Sequence, residues 1–140
     1  MRTVRDAAGD RYLLVEESAG SSLVRDPETG EERHVDSEAL EPVDDESPLV
    51  TAARAVPEPT RRLVVAARDQ RALGLLVELD ARGPLAVVDL LSAYDLCESD
   101  LHGQFAEFRA AGLVAEREVD GRRGYGLTDA ARTALDDLVR

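Results

Sequence analysis

Apolar residues recur at three- and four-residue spacing through the second half of the chain, but alternate with polar ones only in short runs near its beginning. Asp69 stands where it can cap a helix carrying Leu73, Leu76, Val77 and Leu79, which runs to the stop signal Arg82-Gly83-Pro84. Pro84-Leu85-Ala86 has the length of a single strand segment. Val87 to Tyr94 then reads as a short helix burying Val87, Leu90 and Leu91, with Asp95-Leu96-Cys97 as the turn after it. In the next predicted helix, Glu98 to Ala111, Leu101, Phe105 and Phe108 fall at i, i+4 and i+7 and face inward. Ser99, Asp100, His102, Gly103, Ala106, Glu107 and Arg109 are left outward. Gly112 suits the left-handed residue that ends a helix, Leu113 to Val119 a strand, Asp120-Gly121 a tight turn, and Tyr125-Gly126-Leu127 the returning strand. Thr128-Asp129 caps a last helix with Ala131, Leu135 and Leu138 as its stripe.

The first part follows a different period. Arg11 to Glu16 and Ser21 to Arg25 are rich in β-branched and aromatic residues, and Asp26-Pro27-Glu28-Thr29-Gly30 has the chemistry of a turn into a third strand, Glu31 to Val35. His34 is expected on the surface of that strand. Pro42, Pro48, Pro57 and Pro59, with the acidic run Asp44-Asp45-Glu46, mark a joint. Within it, Ser47-Pro48 starts a helix with Leu49, Ala52, Ala53 and Val56 at helical spacing, and Pro59 to Arg68 makes a second with Leu63, Val64 and Ala67 as its stripe. The fold class expected is α+β: an antiparallel β-meander over residues 1–41, a linker with short helices over 42–68, and a domain over 69–140.

Charge changes what these elements can touch. The chain of 140 residues carries a formal net charge of −12, and all 17 of its basic residues are arginine. Dense carboxylates retain water and keep a surface soluble where salt screens charge over about 3 Å, so the acidity reads as adaptation to molar salt in a halophilic archaeon. It is uneven: residues 1–59 sum to −9 and residues 60–140 to −3, so the second half is the part suited to approach phosphate. No apolar run nears the roughly 20 residues of a membrane span. A cytoplasmic protein is expected. Cys97 is the one cysteine, and with only His34 and His102 beside it there is no zinc-ligand spacing. Cys97 reads either as a small buried turn residue or as a thiol activated at a helix start. No phosphate loop, nucleophile–histidine pair or metal cluster is recognisable, so neither catalysis nor a cofactor is expected.

The order helix, strand, helix, turn, helix, hairpin, helix over residues 69–140 resembles the winged helix-turn-helix regulators of the ArsR and MarR type. The matching phrases are Gly83-Pro84-Leu85-Ala86-Val87, Leu96-Cys97-Glu98-Ser99-Asp100-Leu101, Arg109-Ala110-Ala111-Gly112-Leu113-Val114 and Tyr125-Gly126-Leu127-Thr128-Asp129. The resemblance implies binding of duplex DNA, and the apolar stripes of Leu49 to Val56 and Leu135 to Val139, beyond what a minimal winged helix needs, lead us to expect a homodimer. The resemblance places Ser99, Asp100, His102, Gly103 and Gln104 at the major groove, with base readout by Ser99, His102 and Gln104. It likewise puts Arg117, Arg122 and Arg123 on the wing and Arg109 at the DNA backbone. Gly103 departs from the pattern: it offers no hydrogen bond and costs a helix about 1 kcal/mol against alanine. Glu98, Asp100 and Glu107 add negative charge on the same face. They favour an alternative, a winged-helix module that binds protein without sequence-specific DNA recognition.

Overall fold

The computed structural model describes residues 1–139. It is a mixed α/β structure with antiparallel sheets and, among the described residues, six α-helices, and it divides into two compact units, Met1–Pro57 and Glu58–Arg140.

In the first unit, strands β1 (Arg2–Arg5), β2 (Arg11–Glu16), β3 (Ser21–Arg25), β4 (Glu32–Asp36) and β5 (Glu41–Pro42) form one antiparallel sheet in the order β4-β3-β2-β1-β5. The three strands expected are present, and β1 and β5 extend the sheet beyond β2. Thr3 pairs with Leu13 and Val4 with Tyr12, so the core of Val4, Tyr12, Leu14 and Val24 gathers side chains from three strands. His34 is exposed on β4, opposite Leu23.

The residues expected as a joint are shared between the units. Helix α1 (Pro48–Ala52) is capped by Ser47, whose Oγ accepts from Leu49 N at 3.2 Å. Its predicted apolar stripe is not the buried face: Leu49 at 80%, Ala53 and Val56 are exposed and Ala52 is half-buried, and the buried position is Thr51. A hydrogen-bond chain explains the choice. Thr51 donates to Glu46 Oε2, so the 2.6 Å contact between the Thr3 and Thr51 hydroxyls is donated by Thr3. Glu46 also takes Arg54 Nη2 at 3.2 Å, and Arg11 Nε stands 3.4 Å away as an ion pair without hydrogen-bond geometry.

The second unit contains α2 (Glu58–Ala66), α3 (Gln70–Arg82), β6 (Leu85–Ala86), α4 (Val87–Ala93), α5 (Glu98–Ala110), β7 (Val114–Val119), β8 (Arg122–Leu127) and α6 (Asp129–Val139). Asp69 caps α3 by accepting from Ala72 N at 2.8 Å, and Gly83, at φ 80°, ends it. Leu76, Leu79, Leu90, Leu101, Phe105, Phe108 and Leu113 meet in one core, in which the Phe105 ring stacks on Tyr125 at 4.5 Å between centroids. Three stripes of this unit turn out differently from expectation. In α3 the buried residues are Ala72, Leu75, Leu76 and Leu79 while Leu73 and Val77 are exposed. In α2 the buried residues are Thr60 and Leu63 while Val64 is exposed; in α6 they are Ala131, Ala134 and Leu135 while Leu138 is exposed. The short sheet has the order β6-β8-β7. Asp120 and Gly121 both have positive φ, at 52° and 78°, as a two-residue hairpin turn of type I′ requires.

Candidate nucleic-acid interface

Helix α5 presents its surface according to its inner contacts. Leu101, Phe105 and Phe108 are buried as expected, and Ser99, Asp100, Gly103, Ala106, Glu107 and Arg109 are exposed, with His102 half-buried. Gln104 corrects the expected groove-facing set. It is only 8% exposed, because it follows Leu101 by three residues and precedes Phe108 by four, which places it on the buried face. Its Oε1 accepts from Arg68 Nη2 at 3.4 Å, and this fixes the amide orientation, since a guanidinium has no acceptor to offer. Gln104 Nε2 is buried without a partner, a state that costs about 1–3 kcal/mol. Cys97 is exposed at the N-cap of α5 rather than buried, its Sγ 3.4 Å from Ser99 Oγ.

The outward face of α5 is lightly furnished. His102 Nε2 lies 3.5 Å from Glu98 Oε1, one turn back, and Arg68 Nε lies 3.2 Å from Glu107 Oε2. Ser99 and His102 remain as side chains able to hydrogen-bond a base edge from its first turns. Arginine is absent there.

Cross-strand register sorts the wing into two faces. Glu118 pairs with Arg123 and Glu116 with Tyr125, so these side chains share the face that continues inward to Val114 and Leu127. On the other face Arg117 is opposite Gly124 and Val119 opposite Arg122. The three arginines expected to act together are therefore divided. Arg123 Nη2 donates to Glu116 Oε1 at 2.6 Å and to Tyr125 Oη at 3.3 Å; the Glu116 carboxylate, followed by Tyr125, raises the Arg123 pKa further above its ordinary value. Arg109, at the end of α5, gives Nη1 to the same Glu116 oxygen at 3.2 Å. One carboxylate thus engages two of the expected contact residues.

Arg117 and Arg122 are exposed and make no ion pair with a described residue. Glycine makes their face possible. A Cβ on Gly126 would stand 3.1 Å from Arg117 Cδ and Nε and 3.2 Å from Pro84 Cγ, so the arginine stem lies along a strand position with no side chain. A Cβ on Gly124 would come within 2.4 Å of the Leu85 carbonyl oxygen, so glycine also lets β6 close on β8.

The part of the wing free to meet an anion is therefore the Arg117–Arg122 face. Glu116 was the element sequence reasoning missed; its role depends on the end of α5 meeting β7, which no local pattern records.

The chain belongs to a family of unknown function, DUF7346, whose model matches residues 1–139. No curated protein matches it. Among solved structures, it is similar to that of a transcriptional regulator, HlyU, from Vibrio vulnificus CMCP6, with 26% identity, 56% of this chain and 85% of that chain covered, and a TM-score of 0.45.

Proposed function

We propose that the chain is a DNA-binding transcription regulator, with Glu58 onward acting as a winged helix that docks α5 and the β7–β8 hairpin on duplex DNA. The observation that carries this reading is the pairing of Arg117 and Arg122 on one exposed face of the hairpin, unneutralised in a chain of net charge −12. Cations with no internal partner on an acidic body are suited to phosphate. Ser99 and His102 supply base contacts from α5, while Arg109 and Arg123 reach the backbone when released from Glu116.

The regulator acts as a homodimer in the cytoplasm of a halophilic archaeon. The composition without lysine supports the halophile. Val64 and Val65 on α2 and Leu138 and Val139 on α6, all more than half exposed on two helices that pack together, support the dimer. Among the described residues no helix is long and apolar enough to cross a membrane. Light scattering in molar potassium chloride tests the dimer; a monomer mass removes that part.

A second reading, a protein-binding module without sequence-specific DNA recognition, is favoured by Glu98, Asp100 and Glu107 on the α5 surface. One experiment separates the two. Fluorescence anisotropy with duplexes selected from a random pool is run across a potassium chloride series, on the parent chain and on Arg117→Ala/Arg122→Ala. DNA binding predicts an enriched sequence and a log–log salt slope that becomes about 2 units shallower in the double variant, at roughly 0.9 for each phosphate no longer neutralised. No enrichment, with a slope the double variant leaves unchanged, rejects the DNA reading.

A further inference from the structure

Beneath the first turns of α5, a cleft of about 320 Å³ opens between that helix and the start of α3. Its walls include Ala72, Leu75 and Leu96, with Arg71, Asp100 and Gln104 as polar groups. The other polar residues of the lining are already engaged: Arg68 with Glu107 and Gln104 Oε1, and Asp69 with the capped Ala72 N. Three functions remain unused. Arg71 and Asp100 are exposed and paired with no described residue, and Gln104, 8% exposed, has a buried Nε2 donor with no acceptor.

Gly103 adds an independent observation. It lines the same cleft in the middle of α5, where glycine weakens a helix. No atom of the chain explains it, because a Cβ built there meets nothing within 4 Å. A helix backbone left bare beside a cleft fits the close approach of something other than the chain itself.

We propose that this cleft binds a small zwitterion of the apolar α-amino-acid class. A carboxylate takes the Arg71 guanidinium and the Gln104 amide donor, an ammonium takes Asp100, and an apolar side chain lies against Ala72, Leu75 and Leu96. The unused groups are one cation, one anion and one neutral donor, so a ligand carrying a single sign leaves an opposing charge beside it unanswered. The size suits such a molecule, at the small end of the roughly 300–1,000 Å³ of ligand pockets. The site does not depend on the DNA reading and is tested without DNA.

Calorimetry on the full chain, with the Gln104 side-chain amide followed by NMR, uses three probes: L-leucine, 4-methylpentanoate without the ammonium, and isopentylamine without the carboxylate. L-leucine is expected to bind and shift the Gln104 amide resonance, with each half-ligand at least tenfold weaker. Asp100→Asn and Arg71→Ala, both at exposed positions and expected to leave circular dichroism unchanged, should each weaken L-leucine at least tenfold. Absence of L-leucine binding at millimolar concentration overturns the proposal. So does 4-methylpentanoate binding as tightly as L-leucine, which would mark a simple anion site, or L-leucine affinity indifferent to both variants.

Discussion

Arg123 Nη2 lies 2.6 Å from Glu116 Oε1, and Arg109 Nη1 shares that oxygen at 3.2 Å. All three side chains are substantially exposed, so water and salt screen the pairs and they contribute little to stability. On the proposed DNA-binding reading their consequence is larger, because the carboxylate both occupies two cations and repels phosphate. Glu116→Gln is therefore expected to tighten DNA binding about 3- to 10-fold at low salt, an advantage that shrinks as salt rises, with thermal stability nearly unchanged. Anisotropy titrations of parent and variant at matched salt check it. Equal or weaker binding by the variant would show that Glu116 does not compete with phosphate.

Two glycines of the second unit should respond oppositely to alanine. At Gly124 the new methyl would run into the Leu85 carbonyl, a backbone group that cannot swing aside, so β6 must part from β8; we expect a loss of about 2–4 kcal/mol. At Gly103 the methyl meets nothing within 4 Å, so the variant gains the helix propensity of alanine, about 0.5–1 kcal/mol. Thermal denaturation of the two variants checks both signs. A stabilised Gly124→Ala would contradict the packing of the short sheet.

The same residues show what could be read in advance. From Asp69 to Val139, turn chemistry and helical period agree, and the structure has Asp69 as a cap and Gly83, Gly112 and Gly121 at positive φ where elements end. Gln104 was legible too, since its distances from Leu101 and Phe108 already put it on the inner face; the implied groove position overrode that spacing. Strand β1 was not legible, because Arg2–Arg5 is held by pairing with β2 and β5 rather than by its own pattern. Thr51 likewise looks like a polar interruption of α1 until Thr3 arrives from a distant strand to hydrogen-bond it. The division of the wing arginines followed in principle from strand alternation, but the capture of Arg109 and Arg123 by Glu116 required the tertiary contact.

In the first unit, Thr3, Thr51 and Glu46 form a directed chain, with Thr3 donating to Thr51 and Thr51 to Glu46. Thr3 and Thr51 are both buried, so Thr51→Val removes an acceptor that no water can replace and leaves the Thr3 hydroxyl unpaired. The expected cost is about 1–3 kcal/mol. Thr3→Val/Thr51→Val should cost less than the sum of the two single changes, because each of them breaks the same shared bond. Urea unfolding of the three variants measures the coupling; strict additivity would mean that the two hydroxyls do not depend on each other.

Alkaline pH should act on the same unit through Tyr12. Burial raises the Tyr12 phenol above its ordinary pKa of 10.0, against the opposing pull of Arg33, whose Nη2 donates to Tyr12 Oη at 2.8 Å. A pKa raised by folding means that the folded state holds the proton more tightly than the unfolded state does. The associated stabilisation is present in full below pH 10 and is lost as pH climbs through the higher folded-state pKa. Tyr12→Phe has no proton to lose, so its alkaline stability loss should begin at higher pH, although it gives up the Arg33 hydrogen bond at neutral pH. Denaturation midpoints from pH 8 to 12, with tyrosinate absorbance recorded in parallel, test the sign. If parent and variant lose stability in parallel above pH 10, burial of the phenol does not govern the transition.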